Sequence, residues 1–469
     1  MALTADAMTT WCRRLLGADP NSPNRPLEQY LAAIPRLESL AALPKGTRVL
    51  IRGDVDAKPG PAVGDGDIRL RSMIHTIDYG RSRGWVQIVF GHIGRKPEGS
   101  LEKVRARLAE LLGSDVSFVE DWLDPATISI TDKAIAAIKA CPPGGVVVLQ
   151  NTRKYDVERA LWKAKPDDLP ALSGQLAKLS NEFAEKVAKV YVNEAFSAGS
   201  LDASSTVVPA AMQQVALGQY VAEQFDVWLK DCLEAQMVVF SGLKADKLDD
   251  LEAMINRGKI RWVITAGSLA MALKRAAAEL DGGSFGLGLA EDPAHADKPY
   301  FIPRKRIDQA KEMIAAGRAK GIEFVMPVDF VLQDGRVAEA IGPADQQFDV
   351  GPASSTLFAK KVGEFIAAQK PGTPGVVFHN GVFGMFEDPR FAQGTKLFVA
   401  QLKRMKDAGL KVYVGGGEGG TALEQYGKPD WITYCFTAGG TVLNALGSEP
   451  VPYLVALRMA AEKIGPSQV

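Results

Sequence analysis

Several stretches of this 469-residue chain carry residue types able to handle phosphate. One is Lys411 to Glu424, KVYVGGGEGGTALE. Its apolar run Val412–Val414 reads as a buried strand that stops at Gly415, Gly416 and Gly417. After Glu418, Gly419 and Gly420, the residues Thr421, Ala422 and Leu423 read as a first helical turn. A strand that breaks into glycines and re-enters as a helix presents free N–H groups at a positive dipole end, which suits phosphate. A plain tight turn has the same sequence. Earlier, after the apolar run Met237–Phe240, comes Ser241-Gly242-Leu243-Lys244-Ala245-Asp246-Lys247. Lys244 and Lys247 are spaced to share one side of a helix start, where an ammonium is a compact charge for a moving phosphoryl group. A solvated helix start is the alternative. His379-Asn380-Gly381-Val382-Phe383-Gly384-Met385-Phe386-Glu387 offers an amide, glycines and a carboxylate to the edge of a ligand.

The first half carries cations instead. They lie in Arg52-Gly53-Asp54-Val55-Asp56, in Gly91-His92-Ile93-Gly94-Arg95-Lys96-Pro97, and in Gln150-Asn151-Thr152-Arg153-Lys154-Tyr155. Arg69 and Arg71 open a helical stretch in GDGDIRLRSM. Arginine offers a planar fork to phosphate or carboxylate, so cations at neighbouring strand ends can converge on one anion. Arginines on surface loops are the plainer reading of any one of them. His92 reads as a ligand contact rather than a general base. Asp54 and Asp56 read as groups that orient arginines or bind hydroxyls, rather than as a metal pair.

These residues need elements to hold them. Short apolar runs at Val49–Ile51, Val86–Phe90, Val146–Leu149 and Val190–Val192 alternate with helical periodicity, as in Leu101–Leu112 and Ala171–Lys189. That alternation predicts βαβ units and a parallel sheet with helices on both faces. Ala216 to Leu233 reads as one amphipathic helix. The rhythm then restarts at Met237–Phe240, Trp262–Ile264, Phe324–Met326, Val376–Phe378, Val412–Val414 and Trp431–Phe436. The expected division is an N-terminal extension (1–45), an α/β domain (46–215), a bridging helix (216–235), a second α/β domain (236–450) and a C-terminal helix and tail (451–469). Pro26 suits a first helical position, and the extension is expected to pack on the first domain or on a partner. Ligands of such sheets bind beyond the carboxyl ends of the strands.

Composition narrows the classes. Lys and Arg number 55 and so do Asp and Glu, so the net charge is zero and no long-range field toward nucleic acid or an anionic membrane is expected. The four cysteines are far apart, which fits a reducing compartment and no zinc site. No apolar run approaches the roughly 20 residues of a membrane span. The start, MALTADAMTTWCRR, lacks the order of a signal peptide, so cytoplasm is expected. GGGEGG does not match the GxGxxG spacing and lies late in the chain, which weighs against a dehydrogenase.

The motifs RGDVD, DIRLRS, GHIGRKP, QNTRKY, YVNEAF, SGLKADK, MPVD, FDVGP, HNGVFGMFE, VGGGEGG and TAGG occur in this order between Arg48 and Leu457. Together they resemble the phosphoglycerate kinase family. The resemblance implies an α/β fold of two Rossmann-like, three-layer parallel-sheet domains joined by a hinge helix. A cytoplasmic monomer that binds neither nucleic acid nor membrane is expected. The implied reaction is reversible, in-line phosphoryl transfer between ATP and the carboxylate of 3-phosphoglycerate, with magnesium and a hinge-bending closure. By motif position, Asp54, Asp56, Arg69, His92, Arg95 and Arg153 would bind the acid. Lys244, Lys247, Gly267, Asn380, Glu387, Gly416, Gly417, Glu418 and Gly419 would bind nucleotide, with Glu387 on the ribose and Glu418 on magnesium. Arg69, Lys244, Gly417 and Gly440 would stand at catalytic positions.

The chain also departs from the family's pattern. After YVNEAF the family form FGTAHRAHAS becomes Phe196-Ser197-Ala198-Gly199-Ser200-Leu201-Asp202-Ala203-Ser204. Leu201 stands where a phosphate-binding arginine is expected, and Ser200 where a histidine is expected. Lys154 is a candidate to replace the missing charge. Asp56 replaces an asparagine, Glu418 an aspartate, Gly419 a serine or threonine, and Ala438 a glycine of TAGG. SGLKADK is one residue shorter than the family's form, which alters the phase of Lys247 relative to Lys244. Three readings stay open: a divergent phosphoglycerate kinase, an acyl-phosphate-forming kinase on another carboxylate, and a non-catalytic binding or scaffold member.

Overall fold

The computed structural model describes residues 2–57, 66–242, 247–370, 372–447 and 449–463. The chain divides into two compact units. Unit 1 is Met1–Asp226 with Glu449–Val469, and unit 2 is Val227–Ser448.

Unit 1 is built on a six-stranded sheet: β1 (Arg48–Gly53), β2 (Val86–Phe90), β3 (Val116–Val119), β4 (Val146–Leu149), β5 (Val190–Glu194) and β6 (Gln214–Leu217). The order is β3-β4-β2-β1-β5-β6, and every pairing is parallel. Strands β2, β4 and β5 are buried at every position. A parallel sheet covered by helices on both faces requires such continuous apolar runs, here VQIVF and VVVL. The covering helices follow local rules. Asp132–Ala140 starts at Thr131, whose side chain accepts from the Ala134 N–H, and it buries Ala134 and Ile138 one turn apart.

The N-terminal residues join this unit. A helix not anticipated from sequence, Ala5–Leu15, lies on the helix Leu169–Glu182. Thr9 Oγ1 donates to Ser173 Oγ at 2.7 Å, and the Trp11 indole N–H donates to the Thr206 carbonyl at 2.8 Å. Pro26 sits at the cap of Leu27–Ala33, one position ahead of the first helical residue. The helix Pro452–Lys463 belongs to the same unit, and Lys463 Nζ reaches the Ala210 carbonyl at 3.0 Å.

Unit 2 holds a second six-stranded parallel sheet: β7 (Met237–Phe240), β8 (Trp262–Thr265), β9 (Glu323–Val325), β10 (Val376–Asn380), β11 (Lys411–Gly415) and β12 (Tyr434–Cys435). Its order is β9-β8-β7-β10-β11-β12. The chain runs from β7 out to one edge, then returns to place β10 on the other side of β7. The gap between β7 and β10 is therefore the topological switch point, where sheets of this kind bind ligands. A three-stranded antiparallel sheet of Phe330–Leu332, Val337–Ala338 and Gln347–Val350 is added to the unit.

Two sequence expectations are corrected, and two features were missed. Ala216 and Leu217 close β6, pairing with Val192 and Asn193, and the helical run starts at Gln219. The strand QVAL is too short to separate by period from the helix that follows. The expected run Trp431–Phe436 pairs only at Tyr434 and Cys435, because Pro429–Trp431 forms a 3-10 turn. Strand β3 and the antiparallel sheet carry too few alternating residues to stand out. Among the described residues no helix is long and apolar enough to cross a membrane.

Candidate functional site

In unit 1 the switch point lies between β1 and β5, and the polar residues gather at the carboxyl ends of β1, β2, β4 and β5. Asp54 follows β1 and is fully buried. Its Oδ1 accepts from Ser197 Oγ at 2.6 Å and lies 3.9 Å from Arg69 Nε. Burial pushes the Asp54 carboxyl up from its ordinary value, with Arg69 acting against that. Arg69 Nη1 donates to Asp56 twice, at Oδ2 and at the carbonyl, both at 3.1 Å. The Gly94 N–H donates to Asp56 Oδ1 at 2.9 Å, which ties the loop after β2 to the loop after β1.

His92 follows β2 and is buried. Arg52 Nη2 lies 2.6 Å from its Nδ1. A guanidinium only donates, so Nδ1 accepts and the ring proton sits on Nε2. That nitrogen lies 3.9 Å from Asp56 Oδ2. Burial first, then the charges of Arg52, Arg153 and Arg69, holds His92 well below its ordinary value. It is a neutral donor at pH 7.

Arg153 follows β4 and is also buried. Its Nη1 donates to the Gly94 carbonyl at 2.6 Å, and its guanidinium lies 4.7 Å over the Trp162 ring. Its Nη2 meets both oxygens of Asp202, at 3.0 and 3.2 Å. The Trp162 indole N–H donates to the same carboxylate at 2.8 Å. Asp202 Oδ2 also lies 3.6 Å from Arg52 Nη2 and 3.3 Å from His92 Nδ1. Behind this group, Arg52 Nε donates to Ser204 Oγ, which donates to Glu158. Burial first, then the charge of Asp202, pushes Glu158 up to about 7.

So Asp54, Asp56, Arg69, His92 and Arg153 come together. Arg95 does not join them: it is exposed and has no hydrogen bond or ion pair among the described residues. Lys154 does not replace the charge missing at Leu201, because its Nζ faces Glu120 at 3.6 Å. Sequence reasoning counted Arg52 among the strand-end cations but gave neither it nor Asp202 a site role. The signal was present, since an acid interrupts the small-residue run FSAGSLDASS.

In unit 2 the residues after β7, β8, β10, β11 and β12 meet at the carboxyl edge. Lys247 Nζ donates to the Ser241 carbonyl at 2.8 Å and to Asn380 Oδ1 at 2.9 Å, bridging the ends of β7 and β10. Burial lowers the pKa of its ammonium, and the charges of Glu418 and Asp250 act against that. Gly267, at φ +67°, opens the helix after β8, and a Cβ there would lie 2.6 Å from the Gly242 carbonyl oxygen. Only glycine fits so close a backbone approach. Gly416, at φ +90°, caps the helix Gly417–Tyr426, and a Cβ on Gly439 would lie 2.6 Å from its Cα.

Helices Gly267–Leu280, Gly417–Tyr426 and Gly439–Leu446 all begin at this edge, and none has a side-chain cap. At the first of these the Ser268 N–H already donates to the Gly242 carbonyl at 3.0 Å, and at the other two no side chain stands at the positive dipole end, which suits an anion. A Cβ on Gly417 or Gly440 would meet nothing within 4 Å, so both face open space. Gly419 differs: it is buried, and its Cβ would touch Val414 Cγ1 at 3.0 Å. Glu418 and Glu387 are exposed. Ser241 Oγ and Thr265 Oγ1, at the ends of β7 and β8, are buried with no hydrogen-bond partner among the described residues. Lys244 lies outside the described residues.

Comparison with known proteins agrees with this geometry. The family model described as phosphoglycerate kinase matches residues 41–449. The chain belongs to the phosphoglycerate kinase family. A phosphoglycerate kinase of Clostridium beijerinckii is 28% identical over 423 residues, covering 88% of this chain and 96% of the relative. That of Saccharomyces cerevisiae is 29% identical, covering 87% of this chain and 94% of the relative. Among solved structures, the Pyrococcus horikoshii phosphoglycerate kinase aligns with a TM-score of 0.68 at 24% identity, over 92% of this chain and all of that one. At that identity the structural likeness speaks to the fold, which is the two-sheet phosphoglycerate kinase fold expected from the motifs.

Proposed function

We propose that this chain catalyses reversible phosphoryl transfer between ATP and the carboxylate of 3-phosphoglycerate, giving ADP and 1,3-bisphosphoglycerate, a step of glycolysis and gluconeogenesis. The observation that carries the nucleotide side is Lys247 at the switch point of unit 2, among three helix starts without side-chain caps. Those N–H groups and the ammonium suit a chain of phosphates. Gly417 and Gly440 leave room for it, Gly416 turns the chain into the helix beside Asn380, Asn380 holds Lys247, and the exposed Glu387 is available to the ribose. Lys244 takes the family's role of following the transferred group. Gly419 is assigned to packing rather than to a ligand contact.

The acid side is unit 1. Arg69 and the Nε2–H of His92 are donors suited to a carboxylate and its neighbouring oxygens, with Arg153 adding positive charge behind them. A carboxylate oxygen attacks the γ-phosphorus while the bond from that phosphorus to the β–γ bridging oxygen breaks. The electron pair leaves on ADP. The attacking group is already ionised, so no proton has to be removed. That suits a site whose one histidine is held neutral with its basic nitrogen engaged by Arg52. The chemistry then rests on positioning and charge.

Among the described residues no three His, Cys, Asp or Glu side chains cluster to hold a metal. Magnesium needs no such cluster, because it binds through one or two carboxylates together with phosphate oxygens and waters. Glu418, in the first turn of Gly417–Tyr426 and near enough for its charge to act on Lys247, fits that use. When bound, magnesium neutralises charge on the phosphate oxygens. We place the activity in the cytoplasm, in a monomer.

A coupled assay with MgATP and 3-phosphoglycerate tests the reading. Steady ADP formation that depends on the acid is expected. Absence of turnover with that acid, alongside turnover with another carboxylic acid, overturns the substrate assignment.

A further inference from the structure

The acid side of unit 1 is charge-balanced before any ligand arrives. Arg52, Arg69 and Arg153 face Asp54, Asp56 and Asp202. Arg69 divides its contacts between Asp54 and Asp56. Arg52 is committed at every nitrogen: Nε to Ser204, Nη1 to the Gly53 carbonyl at 2.7 Å, and Nη2 to His92 and Asp202. Arg153 spends Nη2 on both oxygens of Asp202 and on Ser200 Oγ, and Nη1 on Gly94, leaving its buried Nε without a hydrogen bond among the described residues. The Asp202 carboxylate is itself wholly buried and fixed by the Trp162 indole. Its neighbour Leu201 is half-buried and brings no charge.

Asp202 therefore sits against Arg153 as an anionic substituent of a ligand would. A phosphate approaching that guanidinium meets a carboxylate already there, in surroundings of low dielectric where like charges repel strongly. We propose that Asp202 is the specificity-determining residue of the acid side. It supplies from within the chain the anion that Arg153 would otherwise take from the substrate. The acid is then held mainly through its carboxylate and hydroxyl groups, by Arg69 and His92, and a phosphate on it adds little. The site then takes 3-phosphoglycerate with little advantage over the same hydroxy acid lacking its phosphate. The inference rests on the acid-side assignment of the proposed function.

Calorimetry separates the two. On the unaltered protein, 3-phosphoglycerate and glycerate (the same acid without its phosphate) are titrated directly. Their affinities are expected to lie within roughly tenfold of each other, whereas a free guanidinium fork would separate them by up to about 150-fold. Asp202→Asn is expected to bind 3-phosphoglycerate at least about tenfold more tightly, with glycerate and MgATP affinities unchanged. Inorganic phosphate is expected to raise the melting temperature of Asp202→Asn more than that of the unaltered protein. A preference of the unaltered protein for 3-phosphoglycerate near 150-fold overturns the proposal. So does an Asp202→Asn variant that folds, keeps its MgATP affinity and binds 3-phosphoglycerate no better. Should the variant not fold, the comparison of the two acids on the unaltered chain still decides. A chain that binds these acids but turns over none of them with MgATP refutes the kinase reading and leaves the binding contrast to judge Asp202.

Discussion

Lys247 and Asn380, 133 residues apart in sequence, meet at 2.9 Å across the switch point of unit 2. The contact joins the first residue of a helix to the last residue of β10, so the ammonium is aimed by a buried amide. Lys247→Met removes the charge and most of the aim. A charge-assisted contact is worth about 1.5–3 kcal/mol. The expected result is a fall in kcat/KM for MgATP of roughly 10- to 150-fold, with the acid KM unchanged. Asn380→Ala keeps the charge and the Ser241 contact, so its fall is expected to be smaller. Steady-state kinetics of both variants, varying MgATP, checks the order; equal losses would mean that position outweighs charge.

Two glycines of this edge should respond oppositely to alanine. Gly267 holds φ +67° and has no room beside Gly242. Gly267→Ala is expected to lose about 1–3 kcal/mol of stability, read as a lower urea midpoint. Gly417 opens a helix and faces open space. Gly417→Ala should leave stability unchanged or slightly raised, since alanine favours helix over glycine. Its KM for MgATP should rise if phosphate occupies that space. Unchanged stability in the first variant, or unchanged KM in the second, contradicts the assignment.

Magnesium dependence tests Glu418. Glu418→Gln keeps the shape and removes the charge. The magnesium concentration for half-maximal activity is expected to rise about tenfold, and the affinity for magnesium-free ADP should stay level or improve. Chelation of magnesium should abolish turnover in both proteins, and an unchanged magnesium titration would remove Glu418 from the metal's surroundings.

Asp349 gives unit 2 a pH dependence. Its carboxylate accepts from the Gly394 and Val350 N–H groups, both at 2.8 Å, and so anchors the segment that follows β10. Burial pushes it up to about 7. An unfolded aspartate titrates near about 3.9. Between those values the folded chain keeps a proton that the unfolded chain has lost. Stability from this group is therefore full below the lower value and falls as pH rises through the upper one. The loss is up to about 4 kcal/mol if the whole shift is expressed. Asp349→Asn does not titrate. Its urea midpoint is expected to drop less than that of the unaltered protein between about pH 5 and about pH 8.

The two sheets were legible in sequence because buried parallel strands leave unbroken apolar runs, and most strand-end motifs were legible because such ends carry ligand residues. Arg69, His92, Arg153, Lys247 and Asn380 were found that way, and they do lie at those edges. What stayed hidden has a common physical cause. Asp202 acts through Arg153, which lies 49 residues earlier in the chain, and no spacing rule links them. Arg52 looks like any arginine at a strand end until its full burial is known. Gly419 looks like its neighbours in GGGEGG, yet it packs on Val414 while Gly417 faces open space. Arg95 and Lys154 sit among cations in the sequence, but Arg95 is exposed without a contact to the cluster and Lys154 faces Glu120.

The two arginines of the acid side should separate stability from binding. Arg153 is nearly buried, with its charge balanced by the wholly buried Asp202. Removing Arg153 leaves the buried Asp202 with Arg52 at 3.6 Å and the Trp162 N–H, a loss bounded by that of a wholly uncompensated buried charge, about 3–5 kcal/mol. Arg153→Ala is therefore expected to lower the urea midpoint strongly. Arg69 is more open, with its side chain 24% exposed, and Asp56 beside it is 28% exposed. Water can reach Asp56, and the buried Asp54, 3.9 Å from Arg69, keeps its Ser197 contact and can take up a proton, so Arg69→Ala should cost less than Arg153→Ala. Its effect belongs in the acid KM, which is expected to rise roughly tenfold or more while the MgATP KM holds. Chemical denaturation alongside kinetics with each substrate varied in turn checks both. If Arg69→Ala were the more destabilising of the two, the division into a structural pair at Arg153 and a ligand-facing cation at Arg69 would be wrong.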